Sequence, residues 1–298
     1  MTTRRTWCAL VLLPLVVTGS AAVDLEPETV AAYEKYIAAA TRDFTPAHED
    51  AGAQPTEWTS PQLRARLRAG QVVARPGGDD GILDIPGGLV HHWRAAIFIP
   101  DVALASVLGV VQDYGSYAAV YDWVIDSTRL RHEREPTRDR YWALLRIKRS
   151  AGIVSSTVDL WTAIEYRQPR PDLVMAVSNA DCIRQVEDAG ERDERRLPIG
   201  TGSGYLWRAD TFTSYLERDG GVYVDLQTLG LSRGYPPLLG WIIEPIARRL
   251  GRGSAADGLE RLRAGVKRRH DAAPAETPRW TSRLTTGWCG DAANPIPY

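Results

Sequence analysis

GVYVDLQTLGLSRGYPPLLGWIIEPIARRLGRGSAADGLERLRAGVKRR, residues 221–269, is the stretch on which the fold turns. It opens as a strand-like run over 221–232 and continues, past a joint rich in glycine and proline, as a long amphipathic helix from near Pro236 to about Arg269. Trp241, Ile242, Ile246 and Leu250 make one apolar stripe; Leu259, Leu262 and Val266 continue it beyond a break expected at Gly251–Gly253, where Ser254 can cap a restart. Such a helix has to lie on something apolar. The one large partner this chain offers it is a sheet.

Working outward, five more strand-like runs precede that helix, at 124–134, 140–149, 153–166, 173–187 and 204–217, joined by turn-rich segments such as Pro169–Asp172 and Asp188–Gly202. Consecutive strands with short turns predict an antiparallel meander and not a parallel sheet with crossover helices. Before them, GLVHHWRAAIFIP (88–100) reads as a strand. In 102–114 Leu104, Leu108 and Val111 share one helical face behind Asp101 as the expected cap, and a helical turn follows through Tyr117, Val120 and Tyr121. GQVVARPGGDDGILDIPGG (70–88) predicts a small hairpin. Further upstream, a helix over 25–42 and a shorter one from Ser60, with Pro61 at its first position, form a helical lead-in separated by a polar linker.

The first 22 residues place Arg4 and Arg5 before an apolar run from Trp7 to Val17 and then Ser20, Ala21 and Ala22, the arrangement of a secretory signal with cleavage expected after Ala22. The protein is thus expected to be exported, periplasmic or extracellular; Thr3-Arg4-Arg5 leaves both the general and the twin-arginine routes open. The organisation expected is 1–22 signal, 23–70 lead-in, 71–272 main domain and 273–298 an extended, Pro/Gly-rich tail. Cys182 and Cys289 survive cleavage into a compartment where disulfides persist, and whether they pair depends on a separation that sequence leaves open.

With 298 residues and 44% hydrophobic side chains the chain can bury a sizeable core, and the 36 basic against 37 acidic side chains exclude a general polyanion binder, so no nucleic-acid partner is expected. No nucleophile elbow, phosphate loop, Cys-pair or His-Glu-Xaa-Xaa-His motif is present. His91 and His92 are adjacent on a strand and point to opposite faces, so they cannot share a metal ion. Gly200–Gly204 precedes a strand, whereas a phosphate loop must open a helix. No cofactor, metal or catalytic group is assigned. Asp159, Glu165, Arg208 and Asp225 are read as charges on an outward, solvated face.

In Gly88–Pro100, Gln112–Ser127 (QDYGSYAAVYDWVIDS), Gly204–Arg208 (GYLWR) and Gly221–Pro245, over roughly residues 85–270, the chain resembles the START-like (SRPBCC) superfamily, and within it an exported bacterial branch. The resemblance implies an α+β helix-grip fold: a curved antiparallel sheet of about seven strands wrapped around the long C-terminal helix, with the N-terminal helical lead-in added. It also implies a cavity between sheet and helix that takes a lipid or other hydrophobic small molecule, by analogy of fold alone.

Ten Trp and twelve Tyr against three Phe supply amphipathic rings suited to such a cavity. The residues expected to border it are Tyr121, Trp123, Trp142, Trp161, Tyr205, Trp207 and Tyr223 on the sheet side and Leu238, Leu239, Ile242 and Ile246 on the helix side. Strand parity puts Tyr205 and Trp207 on one face. The segment 230–240 is expected either to act as a lid, with glycines as hinges and Pro236-Pro237 stiffening its middle, or simply to start the helix with those prolines in its first turn. The function expected is non-catalytic binding or transport of a hydrophobic ligand. A cyclase- or hydrolase-like enzyme using the same cavity, and a module making transient membrane-surface or protein contact through the basic face of the last helix, are the alternatives.

Overall fold

The computed structural model describes residues 24–49, 60–151, 154–234 and 240–271; at several of these, among them 240–246 and 250, it describes the backbone alone. The chain runs α1 (Pro27–Glu49), α2 (Pro61–Arg68), β1 (Val73–Pro76), β2 (Ile82–Ile85), β3 (Gly88–Pro100), α3 (Leu104–Val111), a 3₁₀ turn (Tyr114–Ser116) and α4 (Tyr117–Val120). Then come β4 (Val124–Glu135), β5 (Arg138–Ala151), β6 (Val154–Arg170), β7 (Leu173–Glu187), β8 (Arg195–Arg196), β9 (Arg208–Arg218), β10 (Gly221–Arg233) and α5 (Gly240–Asp271).

All ten strands belong to one antiparallel sheet ordered β1-β3-β10-β9-β7-β6-β5-β4, with β2 added to β3 and the two-residue β8 to β7. The meander expected over residues 124–232 is present, and β3 closes on its end by pairing with β10 from Gly88↔Arg233 to Pro100↔Gly221. Ten strands replace the expected seven or so: the hairpin expected over 70–88 does not form, since β1 and β2 do not pair with each other but both line the edge of β3, and Arg195–Arg196 within the 188–202 loop adds β8 to β7. Asp219 and Gly220, both at positive φ, make the two-residue turn from β9 to β10.

Strand parity divides the side chains. On the concave face Trp93, Ala95, Ile97 and Ile99 of β3, Val222 and Val224 of β10, Tyr215 of β9, Ile164 and Tyr166 of β6 and Tyr141 and Ala143 of β5 pack with α3 and with Ala255, Leu259, Leu262 and Val266 of α5. This is a helix-grip fold: the sheet curls around α5. The downstream part of the expected stripe, Leu259, Leu262 and Val266, is buried in this core; the side chains of Trp241, Ile242, Ile246 and Leu250 lie outside the described residues. The convex face carries a second core, in which Tyr33, Ile37, Ala40 and Phe44 of α1 and Leu67 of α2 cover Phe98, Met175, Phe212, Tyr223 and Leu231. The helical lead-in is therefore a layer of the fold, and α1 runs on to Glu49 beyond its expected end at residue 42.

Two local expectations are corrected. The helix α5 does not break at Gly251–Gly253. Instead Gly251 lets it approach the sheet, since a Cβ there would stand 2.1 Å from the indole nitrogen of Trp93. Asp101 does not cap α3: it takes a positive φ in the turn, and the start of α3 is held by Glu217 of β9, whose Oε2 accepts from the Leu104 N–H at 2.8 Å. At the basic end of α5, Arg269 donates to Gly109 O (2.7 Å) and Arg268 to Ala119 O (3.2 Å), fastening the helix to α3 and α4.

The strand charges also depart from expectation. Asp159, Glu165 and Asp225 do point outward, yet Asp159 and Asp225 are about as buried as any side chain in the protein. Asp159 accepts two bonds from Arg146 at 2.7 and 2.9 Å and another from Arg196, while Arg146 also engages Glu194 twice at 2.8 Å. Glu165 is paired with Arg140 and Arg138, and Asp225 with Arg94. Buried charges persist in protein only when paired and hydrogen-bonded in this way.

Candidate functional site

Between α5 and the concave sheet lies a cavity of about 550 Å³, within the range of small-molecule sites. Each strand contributes its inward positions: Leu145 and Ile147 of β5; Val158, Leu160, Thr162 and Ile164 of β6; Ala176, Ser178 and Ala180 of β7; Thr211 and Thr213 of β9; Val224, Leu226 and Thr228 of β10. Helix α5 closes the opposite side with Ala247, Gly251, Ser254, Ala255, Gly258, Leu259 and Leu262.

One wall is a cluster of tyrosines, Tyr114, Tyr117, Tyr121, Tyr166 and Tyr215. The carbonyl of Val111, at the C-terminus of α3, has no partner within its own helix. It accepts instead from the hydroxyls of Tyr117 (2.5 Å) and Tyr166 (3.1 Å), and Tyr114 donates in turn to Tyr166 at 2.7 Å. Burial raises all five phenols well above their ordinary range, so they stay neutral donors. His91, facing inward beside Trp93, is pushed down to about 4 by burial and bonds Ser232 Oγ at 2.8 Å. Asp210 borders the cavity, but its carboxylate is spoken for by Tyr33 (2.8 Å) and Asn179 (2.9 Å). Burial raises its pKa.

At the rim stand Trp123, Arg149 and Tyr205, the last 47% exposed. The guanidinium of Arg149 lies 4.0 Å above the Trp123 ring, which in turn meets Tyr121 at 5.2 Å between centroids.

Of the aromatic residues expected from the sequence, Tyr121, Trp123 and Tyr205 border this cavity. Trp142, Trp161, Trp207 and Tyr223 do not. Trp142 and Trp161 occupy the outward parity of β5 and β6, beneath Arg131 and Arg184. Tyr223 faces outward on β10, tilted against Phe98 with its hydroxyl on Asp219 (2.8 Å). Trp207 belongs to the convex core; it does not share a face with Tyr205, because β9 begins only at Arg208 and strand parity does not hold before it. Leu238 and Leu239 lie outside the described residues, as do the side chains of Ile242 and Ile246. The expected hinge at Gly230 is corrected too: that residue is paired on both sides within β10, to His91 and to Ala209.

The sequence reading missed Tyr114, Tyr117, Tyr166 and Tyr215. The first two had a signal, since 114, 117 and 121 follow one another at helical spacing.

No family model and no curated protein matches this chain. Among solved structures it is similar to a STAR-related lipid transfer protein from Xanthomonas axonopodis (19% identity, TM-score 0.40, 63% of this chain and 99% of that one). It is similar also to the Zhui aromatase/cyclase from Streptomyces sp. R1128 (16%, 0.37, 63% and 99%) and to a START superfamily protein from Mycobacterium smegmatis (11%, 0.37, 61% and 99%). The fold assignment rests on the strand order and the seat of α5, and the functional reading on the cavity.

Proposed function

We propose that this is an exported START-like protein that binds and carries a lipid or other hydrophobic small molecule without transforming it. The observation that carries the reading is the cavity of about 550 Å³ whose described lining is mostly aliphatic and aromatic, its polar groups being hydroxyls, the neutral His91, the internally bonded Asp210 and Arg149 at the rim. Apolar surface left facing such a space is stabilised by an apolar occupant at roughly 25 cal/mol per Å² covered. Tyrosines held neutral and a histidine held neutral supply hydrogen-bond donors and acceptors but no pair poised to exchange a proton near pH 7, which supports carriage over the cyclase-like alternative.

Location outside the cytoplasm is part of the same reading. Its support is the signal-like N-terminus and the fact that Cys182 is disulfide-bonded, a state that oxidising compartments maintain. Cys8 and Cys289 lie outside the described residues.

The test fills the cavity from the helix side. Ala255 of α5 is buried and borders the cavity. Ala255→Phe is expected to abolish uptake of a lipophilic fluorescent dye by the purified protein, at a stability cost of about 1–3 kcal/mol. Undiminished dye binding by the folded variant would contradict the cavity as the binding site.

A further inference from the structure

We infer that the ligand carries one acidic group, a carboxylate or a phosphate monoester, and that Arg149 receives it at the rim while the apolar body fills the cavity. This rests on the carrier reading above and deepens it.

Arg149 is the one permanent cation among the described lining residues. It projects from the inward parity of β5, is partly buried, and burial weighs against its charge. A guanidinium cannot escape that cost by losing its proton, so an anion placed against it is stabilised. No described carboxylate stands within salt-bridge distance of it. The group felt first by it is the Tyr205 phenol, which burial holds in its neutral form; the two carboxylates that follow, Asp257 and Asp122, are both engaged by Arg261, at 3.3 and 2.6 Å. The Trp123 face, 4.0 Å from the guanidinium carbon, offsets part of the cost.

A second, independent observation marks the same spot. Ser156 is the cross-strand partner of Arg149 and also borders the cavity, and its hydroxyl is buried without a hydrogen-bond partner. Directly opposed residues of an antiparallel pair have Cβ atoms about 4.5–5.5 Å apart. A planar or tetrahedral oxyanion on the guanidinium fork is therefore within reach of the serine as well. A neutral amphiphile could bond that hydroxyl but would bring no counter-charge to the cation.

The experiment measures dissociation constants of oleate, oleyl phosphate and oleyl alcohol for the unaltered protein and for Arg149→Met and Arg149→Lys, with the folded state of each variant checked by its melt. The unaltered protein is expected to hold at least one of the two anions about tenfold or more tighter than the alcohol, as a charge-assisted hydrogen bond implies. Which anion gains more assigns carboxylate or phosphate. Arg149→Met should erase the preference while leaving the alcohol constant within about twofold, and Arg149→Lys should keep part of it. Equal affinity for alcohol and anions in the unaltered protein, or a loss in Arg149→Met that is the same for all three, overturns the inference and leaves the carrier reading standing. Uptake of none of the three by the unaltered protein overturns both.

Discussion

The tyrosine relay at the inner wall makes an asymmetric prediction. Tyr166 donates to Val111 O and receives the Tyr114 hydroxyl, while Val111 O keeps a second donor in Tyr117. Tyr166→Phe therefore does not strand the carbonyl. It strands the Tyr114 hydroxyl, which is fully buried in the concave core. An orphaned buried hydroxyl costs about 1–3 kcal/mol. Tyr114→Phe removes only a donor and leaves Tyr166 its bond to the carbonyl, so its cost should be that of one ordinary hydrogen bond, about 0.5–1.5 kcal/mol. The double variant has no stranded group, and its loss should not exceed that of Tyr166→Phe alone. Urea unfolding of the three variants, with midpoints compared at constant slope, reads the cycle. Additive losses, or a Tyr114→Phe cost above that of Tyr166→Phe, would refute the direction of the relay and the role assigned to Val111 O.

Four further outcomes are expected. His91 and His92 are both pushed down to about 4 by burial, the latter also by Arg94. Charging either costs the folded state more than the unfolded one, whose histidines titrate near the ordinary 6.5, so this stability is present above pH 6.5 and is lost as pH falls toward 4, by up to about 3 kcal/mol per residue. Melting temperatures flat across pH 4–7 would contradict it. Leu262→Ala should cost about 2–5 kcal/mol if α5 is gripped by the sheet as described, and a loss under about 0.5 kcal/mol, measured by denaturant unfolding, would mean a solvent-facing helix. Asp159→Asn, which removes the buried charge that Arg146 and Arg196 share while Arg146 keeps Glu194, should cost about 1–3 kcal/mol. Glu187→Gln, at an exposed pair with Arg195, should cost under about 1 kcal/mol by the same assay.

What was legible in the sequence is what periodicity encodes. Consecutive strand runs gave the meander, and the 3.6-residue stripe through Leu259, Leu262 and Val266 gave the helix that fills it. The convex layer leaves a trace in the sequence: β3 and β10 carry apolar residues on both faces, with Phe98 and Leu231 opposite the concave set, and a sheet covered on both sides reads as near-continuous hydrophobicity. Trp142 and Trp161 were misplaced because aromatic content says nothing about parity. Once Ile164 and Tyr141 are fixed as inward, counting by two sends both tryptophans outward. Gly251–Gly253 was taken for a break because glycine lowers helix propensity, whereas Gly251 is needed for the approach to Trp93, a contact between residues 158 positions apart that no local pattern reveals.

The most direct test of the central claim is native mass spectrometry of the protein purified from its producing cells without added lipid or detergent. The account predicts a species heavier than the processed chain by the mass of one apolar molecule bearing an acidic group, released on denaturation and absent from Ala255→Phe. A spectrum showing the bare chain alone, from a protein that also takes up no added fatty acid or lipophilic dye, would contradict it.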